Sequence, residues 1–324
     1  MKSFFITALT LLNAQLVLSS CAHGTHIHPR AAGDGEIDMP KFGYGYDNGP
    51  TIWHGLSPAY ALCGSGTQQS PINIDSTIAH MPAGFLSMNV PMQDVKFKNL
   101  NTTVEVILEG TAMVNGSEFL LKQFHFHTPS EHTFLGEKYP AEIHMVHIGK
   151  NDPKKIVVIT LIVQATAGSS PSSLGTVISY IDQITQPNHV VDIPQFNISD
   201  VVSMVNQTSV FSYIGSLTTP PCTEGVAFYI LTQPLPIYIG DFNVLKAVLG
   251  YNSRFLQSPQ SVNRSVLVAA AGALPSDIVN NGKVSTSEAA TTFIPRRPLC
   301  LLFIFHNLVS FLFPSLIFSP LFVF

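Results

Sequence analysis

The stretch Gln123-Phe124-His125-Phe126-His127 alternates polar and aromatic residues one by one. Such alternation belongs to a β-strand, in which residues two apart point to the same face. Gln123, His125 and His127 therefore project together, while Phe124 and Phe126 face the opposite layer. A fold built on this strand must bury aromatic rings on one side and accommodate two imidazoles on the other. A second run, Ala141-Glu142-Ile143-His144-Met145-Val146-His147, is also strand-like. As an antiparallel neighbour it can bring His144 opposite the first two histidines.

Three neutral imidazoles suit Zn²⁺ and leave its fourth position to water. With no anionic ligand the metal keeps its double charge, which acidifies that water most strongly and makes hydroxide available near neutral pH. A ligating histidine usually donates its other ring N–H to an acceptor. Gln123 and Glu142 each lie two residues before a histidine, on the same face as His125 and His144, and fill that role. A lone His-x-His pair reads more simply as core or surface histidine; the third histidine and the two acceptors favour a metal. His147 falls on the face opposite His144 and reads as structural. His132 follows Glu131 and reads as a buried, hydrogen-bonded residue. His23, His26 and His28 read as part of a solvated tail.

Elsewhere, Gly/Pro/Asn-rich loops separate strand-length runs at Thr103–Leu108, Phe119–His127, Glu142–Ile148, Ile156–Gln164 and Val226–Leu231. Helical spacing occurs at Ser172–Ile184, through Leu174, Val177, Ile178 and Ile181, and again at Asp241–Leu249. No internal repeat is visible. The reading is one mainly β domain over residues 36–267. Charged residues make up 11% and the formal net charge is -4, with no basic stripe, which argues against a nucleic-acid partner.

The apolar excess sits at the two ends. Residues 1–22 read as a secretory signal: Lys2, an apolar run from Phe4 to Leu18, then small residues to Ala22. A membrane anchor is the rival, and Leu18-Ser19-Ser20-Cys21 also resembles a bacterial lipoprotein box. Residues 23–35 read as a flexible segment and 268–297 as a Ser/Thr/Ala-rich linker. The apolar tail, 298–324, fits a lipid-anchor (GPI) signal with Asn281, Gly282 or Ser287 as attachment point, a membrane span, or an extension that is not natively translated. Without the two ends, Cys63 and Cys222 remain of four cysteines, as one disulfide in an oxidising compartment or as two free thiols. Sequons begin at Asn101, Asn115, Asn197, Asn206 and Asn263, as expected of a glycoprotein that is secreted or at the cell surface.

Across Phe42–Arg264 the chain resembles the α-class (eukaryotic-type) carbonic anhydrases. The resemblance runs through Gly43-Tyr44-Gly45-Tyr46 and Trp53, Gln69-Ser70-Pro71-Ile72-Asn73-Ile74, Phe124-His125-Phe126-His127, Pro129-Ser130-Glu131-His132, Ala141-Glu142-Ile143-His144, Ser216-Leu217-Thr218-Thr219-Pro220-Pro221-Cys222, and Asn252, Arg254 and Asn263-Arg264. It implies a single domain around a large, mostly antiparallel twisted sheet with a few short helices and zinc in a conical cleft. It implies reversible hydration of carbon dioxide to bicarbonate and a proton, inhibited by sulfonamides. Thr218 would donate to Glu131 and accept from the zinc-bound hydroxide. Val146, Val158, Leu217, Val226 and Thr219 would line the substrate pocket, and Cys63 and Cys222 match the disulfide of exported members.

The chain also departs from the family. Thr102 stands where fast members carry a proton-shuttling histidine at the cleft mouth, and it lies in the Asn101 sequon. Phe228 replaces a tryptophan of the wall and Phe255 a proline. A catalytically silent binding protein on this fold would be marked by loss of a zinc histidine, whereas all three are present. A zinc hydrolase with another substrate is disfavoured by the retained apolar wall and the Thr218–Glu131 pair.

Overall fold

The computed structural model describes residues 41–257. The signal, the 23–35 segment, the linker, the tail and the Asn263 sequon lie outside the described residues. In chain order the elements are α1 (Trp53–Leu56), α2 (Leu62–Ser65), β1 (Asn73–Ile74), β2 (Ala79–Met81), β3 (Leu86–Asn89), β4 (Gln93–Asn99), β5 (Val104–Val114), β6 (Ser117–His127), β7 (Thr133–Phe134), β8 (Glu137–Lys138), β9 (Ala141–Gly149) and β10 (Ile156–Thr166). There follow α3 (Ser172–Ser179), β11 (Val190–Phe196), α4 (Ser199–Gln207), β12 (Val210–Ser216), β13 (Glu224–Leu231), β14 (Leu235–Tyr238) and α5 (Ile239–Leu249). No helix among the described residues is long and apolar enough to cross a membrane.

Eleven strands form one sheet in the order β11-β4-β5-β6-β9-β10-β13-β12-β2, with β14 beside β10 and β3 beside β5. β10 runs parallel to β13 and β14, and the other pairings in this sheet are antiparallel. The fold is therefore the mostly antiparallel, mainly β architecture that the sequence suggests. The five strand-like runs fall within or overlap β5, β6, β9, β10 and β13. Ser172–Ile184 divides into α3 and a separate 3-10 turn at Ile181–Ile184, because the Tyr180 N–H bonds back to the Val177 carbonyl and tightens the end of the helix.

The sheet separates two different environments. One face packs α3, α4 and α5 through Leu174, Val177, Val201, Val205 and Leu245 onto Phe124, Phe126, Ile143, Met145, Ile159 and Leu161. The other face carries Ile72, Ile74, Val146, Val158, Val226, Phe228 and Ile230. Strands β9 and β10 are buried on both faces over most of their length, so Ile156–Val163 reads as a nearly continuous apolar run.

A bulge adjusts β6 to this division. Leu121 pairs with His147 but Gln123 pairs with Val146, so Lys122 is an extra residue. Phe119 and Leu121 join the helix-packed core before the bulge, and Phe124 and Phe126 join it after. The inserted residue reverses the alternation and turns Gln123, His125 and His127 to the opposite face. The β5–β6 hairpin closes through Asn115 and Gly116, with φ of 46° and 75°, as a two-residue turn with two positive φ angles requires.

Cys63 and Cys222 form a disulfide, which joins the α1–α2 segment to the loop after β12. Around it Phe42, Trp53 and Tyr60 make a third cluster. Leu161 is fully buried in the helix-packed core, and Leu161→Ala is expected to lower the free energy of unfolding by about 2–5 kcal/mol, measured in urea. Reduction of the disulfide, which spans a sequence separation of 159, is expected to cost about 2–5 kcal/mol in the same measurement.

Candidate metal centre

In the antiparallel pairing of β6 with β9, His125 lies directly opposite His144. His127 lies two residues further along the same face. The three rings are close, with centroids 5.0 Å apart for His125–His127, 5.4 Å for His125–His144 and 4.7 Å for His127–His144. One nitrogen from each falls within 4.8 Å of the other two.

Each ring is turned by a hydrogen bond from its outer nitrogen. His125 Nδ1 donates to Gln123 Oε1 at 2.9 Å, and His144 Nε2 donates to Glu142 Oε1 at 2.5 Å. These are the two acceptors expected from the sequence. His127 Nδ1 donates to the Asn252 carbonyl at 2.8 Å. A backbone acceptor has no side-chain signature, so this role of Asn252 cannot be read from residue type or spacing. The chain is turned there by Gly250, at φ 62°, directly after α5. The bonds fix the tautomers and leave His125 Nε2, His127 Nε2 and His144 Nδ1 facing one another with lone pairs available. His127 Nε2 is buried without a hydrogen-bond partner. Three convergent imidazole nitrogens, one of them an orphan, fit a divalent zinc ion.

The acceptors are anchored in turn. Glu142 Oε2 accepts from the Glu131 and His132 N–H groups, both at 2.9 Å, and Oε1 also accepts from His132 Nδ1 at 2.7 Å. His132 Nε2 lies 2.7 Å from Tyr213 Oη, which donates to Ser70 Oγ at 2.8 Å. His132 is therefore buried and hydrogen-bonded, whereas the parts taken by Tyr213 and Ser70 have no signature in the sequence.

Electrostatics follow burial. Desolvation, then the neighbouring His127 and His144, holds His125 well below the usual imidazole range. Desolvation also lowers His127, against the opposing pull of Glu131. Burial acts downward on His144 too, but its hydrogen bond to Glu142 and that carboxylate's charge outweigh it and raise its pKa. Burial disfavours the Glu142 carboxylate, yet the charge and hydrogen bond of His132, with those of His144, hold it well below the usual range. Burial pushes the Glu105 carboxyl up to about 8, against the lowering charge of Lys98.

The other expected residues lie on several strands and loops of the same domain. Glu131 is fully buried: Oε1 accepts from the Arg254 N–H at 2.8 Å, while Oε2 lies 3.5 Å from His127 Nε2 and has no hydrogen-bond partner. Thr218 is buried on the loop after β12, and its hydroxyl makes no hydrogen bond to Glu131. Val146 pairs with Val158, and Val226 lies on the adjoining strand with Leu217 packed against the same apolar cluster. Thr219 is buried and its carbonyl accepts from the Cys222 N–H. Thr102 is 2% exposed and its carbonyl accepts from Asn252 Nδ2 at 2.8 Å. Phe228 stacks on Tyr213 at 5.1 Å and meets His144 at 5.9 Å. Of the described sequons, Asn115 and Asn197 are exposed, whereas the Asn206 carboxamide is tied to the backbone of Met88.

Comparison with known proteins gives a consistent result. The eukaryotic-type carbonic anhydrase family profile matches residues 48–265. A carbonic anhydrase of Neisseria gonorrhoeae is 34% identical over 230 residues, 70% of this chain and 82% of that protein. The fungal α carbonic anhydrase of Aspergillus oryzae superposes with a TM-score of 0.67 at 34% identity, covering 72% of this chain and 99% of that one. The α carbonic anhydrase of Thermovibrio ammonificans, solved with the inhibitor sulfanilamide, has a TM-score of 0.61 at 32% identity, covering 67% of this chain and 95% of that one.

His147 lies on the helix-packed face, donates Nδ1–H to the Met145 carbonyl at 2.9 Å, and is held by burial at about 4. Its folded pKa is depressed, so its contribution is complete above 6.5 and is lost as the pH falls towards 4. Over that window the loss is about 3 kcal/mol, and His147→Gln is expected to flatten the pH dependence of urea unfolding there.

Proposed function

We propose that this chain, which belongs to the eukaryotic-type carbonic anhydrase family, hydrates carbon dioxide reversibly to bicarbonate and a proton with zinc held by His125, His127 and His144. The observation that carries this reading is the convergence of three imidazole nitrogens, each ring turned by its own acceptor, beside an apolar wall. When bound, zinc lowers the pKa of a coordinated water and so supplies a nucleophile near neutral pH.

Carbon dioxide has no hydrogen to donate and no net charge, so an apolar wall of Val146, Val158, Leu217 and Val226 receives it without leaving polar groups unpaired. Thr219 borders this pocket. In this role the Thr218 hydroxyl would donate to Glu131, because a carboxylate can only accept, and its lone pair would then orient the nucleophile. That requires the hydroxyl to close on Glu131 Oε2, the carboxylate oxygen left without a partner. The Thr218 N–H holds the developing bicarbonate oxygen. Gln123 and Glu142 keep His125 and His144 aimed.

The proton must still leave. Threonine does not titrate near neutral pH, so Thr102 cannot relay it and external buffer takes that part. The reading extends to sulfonamide inhibitors, as sulfanilamide binds the Thermovibrio enzyme. Export accords with the Cys63–Cys222 disulfide, since such bonds persist in oxidising compartments.

Stopped-flow hydration on zinc-loaded protein tests the proposal. Turnover is expected to rise with buffer concentration, and His144→Ala is expected to abolish it. Thr218→Val is expected to cost about a hundredfold. Thr102→His is expected to raise turnover at low buffer. Equal turnover at low and high buffer would remove the missing-shuttle argument, and a folded, zinc-loaded but inactive protein would point to a silent binding role.

A further inference from the structure

Two of the three groups that hold the histidines are themselves held. Glu142 accepts from two backbone N–H groups and from His132. Asn252 Oδ1 accepts from the Thr128 N–H at 2.6 Å, and its Nδ2 donates to the carbonyls of Thr102 and Phe126 at 2.8 and 2.9 Å. Gln123 is different. Its Oε1 is taken by His125, but its Nε2 is buried with no hydrogen-bond partner. A carboxamide held at one end only leaves the ring it orients less firmly fixed.

The residues directly beside Gln123 in the sheet are Ile107 and Val146, which offer no side-chain acceptor. Glu105 lies diagonally across from it on β5, directly opposite His125. The side chain is fully buried and neither carboxyl oxygen has a hydrogen-bond partner. Lys98, its register partner on β4, does not bond to it. Diagonal cross-strand positions are about 7–8 Å apart, within reach of two long side chains. A buried donor and a buried acceptor left unpaired are each costly, and one bond between them removes both penalties.

We propose that Glu105 is a positioning residue of the metal centre: its carboxyl accepts from Gln123 Nε2 and locks the carboxamide that orients His125. Glu105 acts through Gln123 and touches neither metal nor substrate. This inference rests on the zinc reading above.

Zinc release from the full chain to a chelator and the absorption spectrum of the Co²⁺-substituted protein test it. Glu105→Leu is expected to release zinc about tenfold faster and to alter the cobalt spectrum. Its metal-free form should stay close to wild type in urea, because removing the desolvated, fully buried carboxyl offsets the bond that Gln123 loses. Glu105→Gln retains a carbonyl acceptor and should stay within about twofold of wild type. The double variant Glu105→Leu/Gln123→Leu should release zinc no faster than Gln123→Leu alone. The inference is overturned if Glu105→Leu leaves zinc release unchanged, if its effect adds in full to that of Gln123→Leu, or if metal-free stability falls in step with zinc retention. Equilibrium dialysis of the wild type separates the two failures: a chain that holds no zinc defeats the zinc reading and this inference together.

Discussion

The register between β6 and β9 is the constraint on which the centre depends. His125 stands opposite His144. A slip of one residue would set it against Ile143 or Met145, and the imidazoles would face different sides of the sheet. The apolar layer resists such a slip, because Phe124, Phe126, Ile143 and Met145 would have to leave the helix-packed core. The energy that fixes the arrangement of the three imidazoles thus comes largely from the helix-packed face. Lys122 makes this arrangement compatible with the earlier part of β6, where residues of the opposite parity fill the same core.

Burial on the polar face has a second effect. Imidazoles removed from water resist protonation, and a proton would compete with a metal for the same lone pair. His125 and His127 are held down in this way, while Glu142 works against it at His144. The three imidazoles are therefore unequal in basicity although alike in type. Behind them, Arg254 joins distant parts of the structure: it donates to the Ser70 and Cys63 carbonyls through its side chain and to Glu131 through its backbone, and lies 5.7 Å from the Trp53 ring.

The sequence carried the histidines and two of their acceptors clearly, because a period of two places side chains on faces without knowledge of the rest of the fold. The same logic separated His147 from His144. It could not supply Asn252, whose contribution to His127 is a backbone carbonyl. Nor could it single out Glu105: between Val104 and Val106 it looks like the solvent-facing position of an amphipathic strand, and its burial arises from neighbours far along the chain. Helix α4 went unread, since the serines, valines and Asn206 of Ser199–Gln207 are weak helix formers and its stability comes from Val201 and Val205 packing on the sheet. The short strands β2, β3 and β14 carry too few residues to show a period.

The carbonyl that orients His127 lies 125 residues beyond it in sequence. During synthesis all three histidines leave the ribosome long before Asn252, Ser253 and Arg254 follow. Strands β6 and β9 can pair in that interval, yet His127 lacks its acceptor and Glu131 lacks the Arg254 N–H. The last described segment is thus a late-arriving keystone: the three imidazoles have their full set of acceptors only once it has docked.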